Sequence, residues 1–154
     1  SFVEPTSRVL IAANRLTPSD RVVIDEAERL LRTLQCVDHG WNHGVATVLG
    51  DDLTGYAQTT AVALIALRPQ ATEGFVRRGL TFLRDRWYRE AGRLTTAQAQ
   101  IAFRFHAVED DVVRTTALLE RLRPRAARAS TVALAWSALA TGPDELLEPL
   151  RGAA

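Results

Sequence analysis

Four positions recur along this chain at one fixed interval, and that recurrence restricts the folds open to it more than any other feature. Thr59, Thr95 and Thr131 stand 36 positions apart, and the same step links Ala63, Ala99 and Ala135, then Ala66, Ala102 and Ala138, then Leu67, Phe103 and Leu139. Within one copy these residues fall at i, i+4, i+7 and i+8, a single stripe on one helix whose alanines let a neighbour approach closely. A second set keeps the register: Val76 with Val112, Arg78 with Arg114, Phe82 with Leu118 and Leu83 with Leu119. The period therefore predicts a repeated helix pair. Two helices of about fourteen residues with short connections form the unit of α-solenoids and of α/α toroids alike, and period alone does not separate them.

The rest of the apolar pattern is also helical. Val22, Val23, Ala27, Leu30, Leu31 and Leu34 give the spacing of a buried stripe over 21–35, with Ser19 and Asp20 as cap candidates. Further helices are predicted at about 6–14, 54–68, 72–88, 95–107, 109–122, 127–140 and 144–151, with breaks at Pro69, Gly92, Pro124 and Gly142-Pro143. No segment alternates long enough to predict a strand. Residues 36–53 break the period, so chemistry is sought there first.

At 154 residues and 47% apolar composition, the chain is expected to form one helical-repeat domain over 1–154. A formal net charge of +1 leaves no whole-molecule field to gather nucleic acid or an anionic membrane. Every basic residue is Arg, no Met occurs, and the first residue is Ser, which predicts a chain processed or excised from a longer one. The single cysteine, Cys36, cannot close an internal disulfide, so a reducing, cytoplasmic setting is expected. No run approaches the ~18 apolar residues of a membrane span. Val9 to Ala13, held between Arg8 and Arg15, is too short for a signal-peptide core. Gly-rich phosphate loops, a nucleophile elbow and paired-cysteine zinc spacing are all missing from the sequence.

Residues 30–67 carry a resemblance. Leu30-Leu31, Gln35, Asp38 and Gly40-Trp41, followed by the Thr-rich start of an Ala/Leu helix, resemble the repeat of the squalene-hopene cyclase and protein prenyltransferase β-subunit superfamily. In that superfamily an outer helix ends in Gln, a loop carries Asp-Gly-Gly-Trp, and an inner helix opens with Thr-Ala. The likeness is close over about 40 residues and loose over about 130 through the 36-residue pairing. It implies an all-α, incomplete α/α toroid-like arc whose inner helices, near 6–14, 54–68, 95–107 and 127–140, line a cavity. Some four pairs fall short of a full ring, so the resemblance implies a half-ring, a fragment, or one protomer of a larger assembly. Gln35 and Trp41 are expected to staple one helix pair to the next, the Gln through its amide and the Trp through its indole N–H.

Several side chains are candidates for chemistry. Asp51 and Asp52 resemble the acidic motif with which class II terpene cyclases protonate an alkene, but the upstream aspartate of that motif is replaced by Leu49. The competing expectation for the pair is helix capping or an exposed turn between Gly50 and Gly55. Cys36, Asp38, His39 and His43 are all zinc-ligand types within eight residues. Prenyltransferases draw their zinc ligands from different repeats, and no metal or cofactor is predicted here. Asp38, His39, Trp41, His43, Tyr56, Gln98 and Gln100 are candidate ligand contacts. Gln98, Gln100, Arg104 and His106, on one predicted inner helix, are expected to face water. Arg121, Arg123, Arg125 and Arg128 are expected to be solvated or to serve helix ends rather than to grip phosphate.

The leading functional expectation is a terpene-cyclase or prenyltransferase-like repeat domain without a complete active site of its own. The alternatives are a subunit or fragment of an active isoprenoid enzyme and a helical-repeat scaffold that binds protein. Val9, Leu10, Ile11, Ala12 and Ala13 at one end, and Leu146, Leu147 and Leu150 at the other, predict an end covered by another chain, a second copy or missing sequence, with an isoprenoid or other apolar ligand also expected to suit such a fold.

Overall fold

A computed structural model describes residues 2–13 and 21–151, side chains of 125, 126, 128 and 151 excepted. The predicted caps Ser19 and Asp20 and the side chains of Arg125 and Arg128 lie outside the described residues. Helix, including short 3₁₀ turns, makes up 71% of what is described, so the chain is all-α. The helices are α1 (Val3–Ala13), α2 (Arg21–Thr33), α3 (Ala57–Ala66), α4 (Gly74–Arg86), α5 (Arg93–Phe105), α6 (Glu109–Leu122), α7 (Thr131–Thr141) and α8 (Glu148–Arg151). Among the described residues no helix is long and apolar enough to cross a membrane.

Helices α1, α3, α5 and α7 touch one another in chain order, while α2, α4 and α6 each pack against the helix before them. The two middle members of the first set hold the core. In α3, Ala57, Ala61, Ala63 and Ala66 bring neighbouring backbones close, and residues from Thr59 to Leu67 are all buried. In α5 every residue from Thr95 to Phe103 is buried. The outer helices are amphipathic instead. α2 buries Ile24, Ala27 and Leu31, so its inward face is rotated from the predicted stripe and leaves Val22 and Val23 exposed.

The expected water-facing side of α5 is a correction. Gln98 and Gln100 are 1% and 3% exposed, because α5 is packed between α3, α6 and α7 and has no face left for solvent. Gln100 donates its amide to the Thr116 hydroxyl at 2.8 Å. The Gln98 amide meets no hydrogen-bond partner among the described residues. Arg104 is a structural cap: it donates to the carbonyls of Ala140 at 2.7 Å and Gly142 at 3.0 Å and pairs with Asp144, closing the C-terminal end of α7. His106 places Nε2 3.0 Å from the Leu64 carbonyl, joining α5 to α3.

The outer helices α4 and α6 are joined by ion pairs from two half-exposed arginines to the buried Asp111. The carboxylate of Asp111 accepts hydrogen bonds from Arg84 at 2.9 Å, Arg114 at 3.1 Å and the Trp87 indole at 3.4 Å. At the C-terminal end Leu147 is fully buried, Leu150 packs on the core, and α8 reaches α1. Leu147 and Leu150 thus pack within the chain, and Leu146 stays exposed.

The second correction concerns strands. Residues 47–52 form a hairpin, β1 (Thr47–Val48) antiparallel to β2 (Asp51–Asp52), with Thr47 opposite Asp52 and Val48 opposite Asp51. It turns through Leu49 and Gly50, at φ 53° and 92°. Two positive φ angles in a two-residue loop match the twist of the flanking strands.

Candidate functional site

The segment between α2 and α3 is fixed at both ends by hydrogen bonds to backbone. Gln35 donates its amide to the carbonyls of His39 at 2.8 Å and Phe75 at 3.0 Å, so the end of α2 is joined to the start of α4. Trp41 is fully buried; its indole N–H donates to the Leu31 carbonyl at 2.7 Å and its backbone N–H to the Thr60 hydroxyl at 2.8 Å. Its carbonyl accepts from Tyr56 N–H at 2.9 Å and from the Thr59 hydroxyl. Both residues therefore act as the staples expected of them.

Asp38 is spent in the same way. Its carboxylate accepts from the N–H of Gly40 at 3.2 Å and of Gly55 at 3.0 Å, holding two strands of the loop so close that a Cβ on Gly55 would lie 2.6 Å from Gly40 Cα. Cys36 is buried beside it, and burial, helped by the Asp38 charge and opposed by a backbone hydrogen bond at Asn42, pushes its thiol up. A thiol held protonated is a poor nucleophile and a poor metal ligand.

The four zinc-type residues are not brought together. Asp38 and His39 border a hollow with Arg78, Phe82 and Arg86 on the α4 side. His43 lies in a different hollow. Among the described residues no three His, Cys, Asp or Glu side chains are grouped to hold a metal ion.

That second hollow, about 390 Å³, has apolar walls from Phe2, Val45, Leu53 and Tyr56 and polar groups from Asn42, His43 and Thr54. The volume lies at the small end of ligand-sized sites. The His43 and Tyr56 rings face each other at 5.2 Å, inclined by 37°, and make one wall. Asn42 shapes the floor by accepting from the N–H groups of Gly44 at 3.0 Å and Val45 at 3.1 Å. Val3 N–H donates to the His43 carbonyl at 3.1 Å, bringing the start of α1, and with it Phe2, to the rim.

Of the predicted contacts, His43 and Tyr56 meet here, Asp38, His39 and Trp41 do not, and Gln98 and Gln100 lie in α5. Asp51 and Asp52 sit on the exposed hairpin. They do not cap α3: Tyr56 is its N-cap, and the carboxylate at its N-terminus is that of Glu90, accepting from Ala57 N–H at 2.7 Å. Phe2, Asn42, Val45 and Leu53 were not legible as site residues. The Asn42-x-Gly44 spacing is the one signal that pointed to a shaped turn.

No family model matches this chain, and no curated protein or solved structure matches it either.

Proposed function

We propose that this chain is a non-catalytic helical-repeat domain, akin in plan to the squalene-hopene cyclase and prenyltransferase β-subunit repeat, that works by binding another protein chain through its 36–56 segment. The observation that carries the reading is the burial of α3 and α5 along their lengths. In a toroid enzyme these helices would line the reaction cavity; here their side chains pack on neighbouring helices. The acid pair supports the same reading. A carboxyl that protonates an alkene must be buried and held by a second group, whereas Asp51 and Asp52 are exposed on a hairpin.

Protein binding is favoured over a purely structural role by the surface of the same segment. Val45, Val48, Leu49 and Tyr56 are exposed within a dozen residues, beside an apolar cleft. The test is turnover of polyprenyl diphosphates and linear polyenes by wild type and by Asp52→Asn. No product is expected from either, and the variant should melt like wild type. Product formed by wild type and lost in Asp52→Asn would overturn the reading.

A further inference from the structure

The near-balance of charge over the whole chain hides an uneven distribution. Residues 74–89, which are α4 and the turn after it, carry five arginines and one acid, Asp85, and leave 14 basic against 17 acidic residues on the rest of the chain. A basic helix thus stands on an otherwise acidic molecule. α4 packs inward through Phe75, Val76, Gly79, Phe82 and Leu83, while Arg77, Arg78, Thr81 and Arg84 are exposed.

These charges are not neutralised within the chain. Arg8, Arg21, Arg32 and Arg123, exposed on other elements, each pair with an acid, whereas among the described residues no carboxylate lies within ion-pair distance of Arg77, Arg78, Arg86 or Arg89. Arg84 does pair, but with Asp111, which Arg114 shares, so two cations there meet one anion. Two of the remaining guanidiniums rest on rings: Arg86 lies over Phe82 at 5.4 Å and Arg89 over Tyr88 at 5.7 Å. A stacked guanidinium keeps its N–H edge for an anion and loses less freedom on meeting one.

The spacing selects the kind of partner. Arg77 and Arg84 stand seven positions apart on one side of the helix, about 10.5 Å along its axis. Carboxylates at i and i+7 of a second helix repeat that distance, whereas same-face side chains of an extended strand fall about 6.6 or 13 Å apart. Asp85 and the acidic remainder of the chain oppose a long polyanion such as nucleic acid. Arg78 and Arg86 also border the hollow that Asp38 and Asp85 share, so the favourable row for an anion is Arg77 to Arg84 rather than that hollow.

We propose that the outward face of α4 is a docking surface for an acidic helix of another protein, whose carboxylates meet Arg77 and Arg84 with Arg78 beside them. The inference goes beyond the protein-binding reading by adding a second surface next to the 36–56 segment.

Titration of the isotope-labelled full chain, followed by amide chemical shifts, tests it with an alanine-based helical peptide bearing Glu at i, i+4, i+7 and i+11. The same peptide with Gln at those positions and an oligothymidylate of about 12 nucleotides are the comparison probes. Shifts centred on α4 are expected with the Glu peptide, with a Kd of roughly 0.1–1 mM that weakens as salt rises. Arg77→Gln/Arg78→Gln, which removes no ion pair, should weaken binding at least about threefold, while Arg8→Gln/Arg29→Gln, the same loss of charge on α1 and α2, should change it less than about twofold. No binding to wild type, shifts centred elsewhere, equal loss in the two variants, equal binding of the Gln peptide, or tighter binding of the oligothymidylate would overturn the proposal. Each of those outcomes leaves the non-catalytic reading standing, since that reading is decided by polyprenyl turnover.

Discussion

Trp41 shows how much of this molecule depends on single close contacts. It packs edge-on to Phe75 with ring centroids 6.4 Å apart, and a Cβ at Gly79 would lie 2.5 Å from its ring. Gly79 is inside α4, where alanine would raise helix propensity by about 1 kcal/mol. The clash should win, because a fully buried indole tied to the Leu31 carbonyl has nowhere to move. Gly79→Ala is therefore expected to destabilise the fold by roughly 1–2 kcal/mol in urea denaturation, within the usual cost of overpacking. His106 gives a second residue-scale prediction. Burial lowers its pKa, the Leu64 carbonyl opposes that shift, and the Arg68 charge adds to it. The unfolded chain then takes up the proton more readily than the folded one, so stability is complete above about pH 6.5 and is lost as pH falls toward the folded value. Glu28, raised chiefly by burial, works in the opposite sense in a lower range. Urea midpoints between about pH 8 and 6 should fall in wild type and fall less in His106→Gln, which keeps a donor for the carbonyl. A slope unchanged in the variant would remove His106 as the cause. Gln35 and Trp41 were legible in the sequence because a terminal Gln and a loop Trp have few other uses between two helices; Gln98 was misread because an amide on a helix says nothing about how many neighbours that helix has.

Among the elements, the helices were legible and the hairpin was not. Periodic apolar residues and Pro or Gly breaks mark helix ends well, whereas a four-residue ladder leaves no alternation to detect. Its turn begins with leucine, a residue that gives no turn signal. Of the two expectations for Asp51 and Asp52, a helix cap or an exposed turn, the structure has the exposed turn: the ladder with Val48 and Thr47 takes their backbone away from α3, and Glu90 reaches in from the α4–α5 connection. The end of α5 offers the clearest element-scale test. Val108 N–H donates to the Phe103 carbonyl at 3.0 Å while Ala107 sits at φ 53°, a closing turn in which glycine is the usual residue. Ala107→Gly should raise stability by about 0.5–1 kcal/mol, since relief of the left-handed strain outweighs the entropy of glycine in the unfolded chain. An unchanged or lower melting temperature would show that the turn holds no such strain.

For the molecule as a whole, α3 and α5 are packed on their neighbours along their buried lengths. Composition and period pointed to helix pairs, and the resemblance over residues 30–67 supplied the idea of an inner row lining a hollow. Neither reveals how far a short row closes on itself, which is set by Ala-lined approach and by α8 returning to α1. Amide hydrogen exchange, followed with and without an added polyprenyl diphosphate, tests this most directly. The slowest exchange, at the global unfolding limit, is expected in α3 and α5, with fast exchange in the hairpin and no change in α3 or α5 when the isoprenoid is present. Added protection confined to α3 and α5 on adding the isoprenoid would place a ligand between those helices and contradict it.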